Sequence, residues 1–314
     1  MLGRTANSLF WMFRYLERAE NTARLLDAGL RMALTRDSVS AEEEWRSVIE
    51  TAGHRRGYEA KHATYTGMQA WNYILRDKDS SASVLNTFQQ IRSNAREARS
   101  AITSEVWEAV NDSWLQIKDM LARPVGEQRV GEVLTAVRRA GTLAHGAVLG
   151  SMLREEGFHF ARAGTFIERA DNIARIMDIK YYLLLPSLSY VGSSMDTGQW
   201  DMVLRSVSGD SAYRWLNAGQ IEARGIVSFL VLDERFPRSL AYSHAALREN
   251  LAALARIHGV EGLSNELMRE SDTRLSDLSI EDVFDKGLHQ FLTDFTAANS
   301  AIGQAIAQDY RFLA

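Results

Sequence analysis

The residues best suited to chemistry in this sequence are Glu17, Arg18, Asn21 and Arg24, and again Glu168, Arg169, Asn172 and Arg175. They recur at the same spacing in two matching stretches, Tyr15–Asp27 and Phe166–Asp178. A guanidinium fork offers two parallel donors that fit the paired oxygens of a carboxylate or phosphate. Arg14, Arg18, Arg24, Arg169 and Arg175 are therefore candidate ligands for an anionic or zwitterionic group, with Asn21 and Asn172 orienting it. Glu17 and Glu168 are the candidate catalytic acid/base groups. A buried carboxylate flanked by arginines is held in its charged form, which weakens it as a base near neutrality.

Neither stretch contains Gly or Pro and both are rich in strong helix formers, so each is expected to be a helix. At about 100° per residue, Arg24, Glu17, Asn21, Arg14 and Arg18 fall within an arc of about 120°. Phe13, Leu16, Ala19, Ala23, Leu26 and Leu30 fill much of the remaining circumference. A helix that is apolar on most faces belongs in an interior, so the stripe carries charge into a buried setting. Buried charge is costly unless it is paired and hydrogen-bonded. The two stretches are each other's candidate counterparts, Glu17 meeting Arg169 and Glu168 meeting Arg18. One alternative to a ligand pocket is a purely structural ion-pair network that fixes how two halves dock.

The composition narrows the field. Three prolines and 21 glycines among 314 residues leave little turn material and favour long helices. A net charge of −4 and a pI near 6.0 give no bulk attraction to nucleic acid or to an anionic membrane. Without cysteine there is no disulfide frame, zinc-thiolate site or cysteine nucleophile. Charges at Arg4, Arg14, Glu17 and Arg18 interrupt any signal-peptide core, and the apolar run Tyr181–Leu185 is too short to span a bilayer. The expectation is a cytoplasmic protein.

Read in order, the chain predicts helices throughout: about 5–35, one capped by Ser38 or Ser40, 58–75, 84–102, one through Trp107 and Trp114, 131–155, and a final one over 280–308. Pro237 is expected at the first position of another. Trp45, Trp71, Trp107, Trp114 and Trp200 fall at helical spacing and read as core or interface anchors. Trp200, Val203 and Leu204 echo Trp45, Val48 and Ile49, and Tyr213 echoes Tyr58. The expected fold is all-α, an internally duplicated multi-helix bundle with approximate two-fold pseudo-symmetry. It is read as one domain over 1–314, with repeats of about 1–155 and 156–314.

With those motifs in place, the sequence resembles the bacterial alpha-E domain family, named for an all-helical fold and a Glu-Arg motif. The resemblance covers the whole chain: Arg4 to Trp11, both Glu-Arg stretches, Asn94-Ala95-Arg96, Ser104 to Glu108, Met152 to Asp178, Phe229-Leu230 and Phe236 to Ser239. Asp79-Ser80 and Ser93 depart from the family pattern, at a local cap and a surface contact. The resemblance implies partnership with a circularly permuted ATP-grasp peptide ligase and a transglutaminase-like peptidase, and so a setting of peptide-bond chemistry.

Other chemistries find less support. Glu59-x-x-His62 and Glu156-x-x-His159 have the spacing of di-iron bundles, but they occupy unrelated places in the two repeats, and no metal site is expected. There is no phosphate-cradling glycine loop, dinucleotide fingerprint or Gly-x-Ser-x-Gly elbow, so no cofactor is expected. The reading is an accessory helical protein that binds the ligase or a peptide-like ligand at its Glu-Arg helices. The alternatives are an enzyme on a peptide or amino-acid derivative, using Glu17 or Glu168, and a purely structural scaffold.

Overall fold

Helices form wherever helix formers run between good caps. The computed structural model describes residues 1–34, 38–183 and 194–312 and holds fifteen α-helices among them, with no strand. The chain divides into two compact units, one of Trp11–Leu153 and one of Met1–Phe10 with Arg154–Ala314.

The first unit takes most of α1 (Gly3–Ala33), then α2 (Ser38–Thr51), α3 (Arg55–Glu59), α4 (Gly67–Arg76), α5 (Val84–Glu97), α6 (Ser104–Met120) and α7 (Glu127–Ser151). The side chains of Ser38 and Ser40, expected to cap α2, lie outside the described residues. Thr66, Ser83 and Thr103 each accept a backbone N–H at the start of α4, α5 and α6, which satisfies one orphan donor per helix. The core between α2 and α4 is built on Trp45 and Trp71, edge to face at 5.6 Å. The buried Trp71 indole donates to the Val125 carbonyl at 2.8 Å, so its one polar atom is satisfied.

The single helix expected over 58–75 is instead two helices, α3 and α4. The Tyr58 hydroxyl donates to the Thr64 carbonyl at 2.8 Å, which folds the intervening segment back on α3, and Thr66 restarts the helix. Residues 99–101, expected inside a helix, form a single 3-10 turn after α5.

In the other unit, α8 (Glu156–Leu183) is flanked by α12 (Leu240–His258) and α15 (Leu288–Asp309), with α13 (Leu263–Ser276) against both. The helices α9 (Ser194–Ser206), α10 (Asp210–Leu216), α11 (Ala223–Leu232) and α14 (Ile280–Lys286) complete it. Trp200, Tyr213, Phe229 and Phe236 pack into one apolar cluster here, with Phe229 stacked on Phe236 at 4.5 Å. Gly164 lies against the Phe10 backbone carbonyl, an approach that a Cβ would block. Asn299 of α15 donates to the Ile167 carbonyl of α8 at 2.9 Å.

Two boundaries differ from expectation. Ser239, not Pro237, sets the start of α12: its hydroxyl accepts from the Tyr242 N–H at 3.0 Å and donates to the Asp233 carbonyl. Pro237 sits in the turn before it. The helix expected over 280–308 is broken at Gly287, whose φ of 90° lies outside helical space. No helix among the described residues is long and apolar enough to cross a membrane. The run at Tyr181–Leu185 extends beyond the described residues, which stop at Leu183.

Candidate functional site

The first Glu-Arg stretch lies on α1, and α7 is the element that answers it. Glu17 is fully buried, Glu20 and Asn21 nearly so, while Arg14, Arg18 and Arg24 are half-buried. On α1 itself, Asn21 Nδ2 donates to Glu17 Oε1 at 3.5 Å. One turn on, Arg24 is ion-paired with Glu20. The guanidinium of Arg14 lies over the Trp11 ring at 4.4 Å and that of Arg18 over Tyr15 at 5.6 Å.

From α7 comes His145, whose Nε2 stands 3.7 Å from Glu17 Oε2 and whose ring packs on Phe13 at 5.6 Å. That nitrogen is buried and makes no hydrogen bond among the described residues. One turn earlier on α7, Gly141 faces the Glu20 carboxylate so closely that a Cβ would collide with it. Two turns before His145, Arg138 donates to Asp27 Oδ2 at 3.3 Å. The stretch from Glu17 to Asp27 is thus followed along its length by Gly141, His145 and Arg138. Ala140 to Ala147, a run of small residues in sequence, lets the two helices come this close.

The second stretch, on α8, places Glu168 in the interior at 1% exposed. Arg169 donates to the Pro237 carbonyl at 3.2 Å and lies over Phe166. Asn172 is half-buried, with an amide nitrogen that is shielded from water and makes no hydrogen bond among the described residues. Arg175 is exposed and reaches back to Asp171, with Nε–Oδ2 at 2.7 Å. Asp178 meets Nδ1 of His289, on α15, at 2.5 Å. Burial along this face therefore fades from Glu168 to Arg175.

Sequence reasoning named Glu17, Asn21 and the arginines but missed Glu20, Gly141 and His145. No local spacing links α1 to His145; the only trace was the small-residue run of α7. Chemically, Glu17, Glu20 and His145 bring three donor atoms within 4.8 Å of one another, a set of the type that divalent transition metals accept. Arg24 already neutralises Glu20 there, so the cluster has a cation of its own.

The spaced Glu-His pairs do not converge. Glu59 accepts from Tyr65 and Arg55, and the His62 ring lies tilted against Tyr58 at 4.7 Å. Glu156 pairs with His258 at 2.6 Å, and His159 bonds Asn250 at 2.9 Å. Each member is committed to a different neighbour.

A family model described as a predicted alpha-helical domain with a conserved ER motif matches residues 1–311. An uncharacterized protein of Mycobacterium bovis is 26% identical over 318 residues, covering 94% of this chain and 35% of its own length. Uncharacterized proteins of two Mycobacterium tuberculosis strains match at 26% and 25% over the same extent. The chain thus spans about a third of the length of the curated relatives it matches. No solved structure matches. With its two Glu-Arg helices and a match over nearly its whole length, the chain belongs to the Alpha-E family.

Proposed function

We propose that this chain is a cytoplasmic, non-catalytic helical module that works beside a circularly permuted ATP-grasp ligase in peptide formation or modification. It engages the ligase, or an anionic or zwitterionic peptide-like ligand, through its Glu-Arg helices. A transglutaminase-like peptidase is the second partner this reading admits.

The observation that carries it is the engagement of the first motif's carboxylates. A general acid or base must come within hydrogen-bond reach of a substrate proton. Glu17 is 0% exposed and is held by Asn21, while Glu20 is ion-paired with Arg24 against the bare face of Gly141. These are carboxylates fixed in a helix packing, which favours a scaffold or docking role over turnover. The relatives add support, because the matched region is 35% of their length and so acts there within a longer chain.

We also read the two halves as products of duplication. The parallels are Trp45 with Trp200, Tyr58 with Tyr213, and the motif-ending Asp27 and Asp178, each bonded to a later long helix.

The test is co-purification and light scattering with an ATP-grasp ligase encoded by the same genome, followed by ligase assays with and without this protein. The reading expects a complex and a changed ligase rate. No complex, together with a ligase indifferent to the protein, overturns it.

A further inference from the structure

Five cationic side chains converge on one cavity in the first unit, remote in sequence from the Glu-Arg motif. It has a volume of about 670 Å³ and lies where the end of α4, α5 and α6 meet. Arg76, Lys78, Arg92, Arg96 and Lys118 line it, and among the described residues no carboxylate does. That is an uneven distribution for a chain in which acids outnumber bases, 40 to 36.

These cations are not spent on ion pairs among the described residues. The Arg76 Nε donates to the Leu121 carbonyl at 3.2 Å and the Arg92 Nε to Asn111 Oδ1 at 3.0 Å. Both bonds use the inner nitrogen and fix the side chain, leaving the outer nitrogens of the fork without an acceptor among the described residues. The two carboxylates nearest Lys78 in sequence, Asp77 and Asp79, are both taken by Lys61, at 2.8 and 2.7 Å. Like charges gathered in a concavity repel one another, and their field is focused by the low-dielectric walls. The arrangement lowers its energy when a multiply charged anion enters.

The remaining lining narrows the class of anion. Trp114 supplies an aromatic wall beside Lys118, and Leu85 and Leu121 supply apolar surface. A cavity of this size is in the range that encloses a small molecule rather than a protein segment. Three guanidinium forks favour phosphate oxygens, which they bind bidentately, and an aromatic wall favours a planar ring. We infer that this cavity is a binding site for a nucleoside polyphosphate, its phosphates on Arg76, Arg92 and Arg96 and its base against Trp114. The site is separate from the Glu-Arg helices and does not rest on the function proposed for them.

The experiment is calorimetric titration of the full chain with ADP, with inorganic pyrophosphate and with an oligoglutamate peptide, at low and at physiological salt. ADP is expected to saturate one site, more tightly than pyrophosphate, with affinity falling as salt rises. Arg92→Ala with Arg96→Ala, one turn apart on α5, should weaken ADP by about tenfold or more, since each lost charged hydrogen bond is worth more than a neutral one. Unchanged circular dichroism would show that the double variant is folded. Trp114→Phe should weaken ADP while leaving pyrophosphate unchanged. The inference is overturned by absence of ADP binding at millimolar concentration, by undiminished binding in the folded double variant, or by oligoglutamate binding as well as ADP.

Discussion

An oxygen of the Glu20 carboxylate lies 2.5 Å from where the first atom of a Gly141 side chain would be. The contact joins α1 to α7 at the point where Glu20 is also held by Arg24. It explains why a Gly is embedded in the middle of a long helix, where it costs about 1 kcal/mol relative to Ala. The close approach places a charged group against backbone, and any side chain there must push it away.

Gly141→Ala therefore reverses the usual helix preference. Propensity alone would stabilise the variant, but displacing a buried, ion-paired carboxylate outweighs it, and a net loss of about 1–3 kcal/mol is expected. Gly146, on the same helix, has open space at the equivalent atom, so Gly146→Ala should be neutral or stabilising. Urea denaturation of the two variants checks the contrast.

Removing the Glu17 carboxylate leaves His145 and Asn21 facing a void in the packing. Glu17→Ala should cost on the order of 3 kcal/mol, because a buried polar cluster loses its acceptor and a cavity opens. Glu17→Gln, which keeps the shape, should cost about 1–2 kcal/mol and remain folded. Equal stabilities for the two variants would contradict the packing described for α1.

His244, on α12, gives the chain a specific pH response. It is 1% exposed, neither ring nitrogen makes a hydrogen bond among the described residues, and the ring packs on Phe295 at 5.0 Å. Burial is the main cause lowering its pKa to about 4 from the usual 6.5; Asp272 opposes that shift and Arg248 adds to it. A histidine depressed in the fold binds its proton more readily when unfolded. Its neutral form is thus fully compatible with folding above pH 6.5, and stability is lost as pH falls from 6.5 to about 4, by roughly 3 kcal/mol at most. Below that the folded form protonates too and the loss levels off. His244→Leu should flatten this part of the stability profile, and it should be neutral or stabilising at pH 5 because no hydrogen bond is lost.

Gly287 ends α14 and begins α15 at a φ of 90°. A Cβ there meets no neighbour among the described residues, so Gly287→Ala tests backbone strain alone. The expected loss is about 1 kcal/mol, with native circular dichroism.

Local chemistry made α1 and α8 legible in the sequence, because helix formers with apolar residues on most faces admit one reading. The same periodicity placed Glu17 and Glu168 inward, and both are buried. It also placed Arg175 on the Glu168 face, yet Arg175 is exposed, since burial along a face is set by neighbouring helices. The breaks at residues 60–66 and at Gly287 were hidden for a related reason. Apolar spacing continues across them, and the interruption is made by the Tyr58 hydroxyl bond in one case and one positive φ in the other. His145 was beyond reach because its meeting with Glu17 depends on tertiary packing.

The most direct measurement is peptide-bond formation by an ATP-grasp ligase encoded by the same genome, with no addition, with this protein, and with its Glu17→Gln variant, alongside the protein incubated alone. The account expects the ligase rate to change with wild type and with the folded variant alike, and no turnover by the protein alone. Turnover without ligase, abolished by Glu17→Gln in a folded variant, would contradict it and make Glu17 a catalytic group.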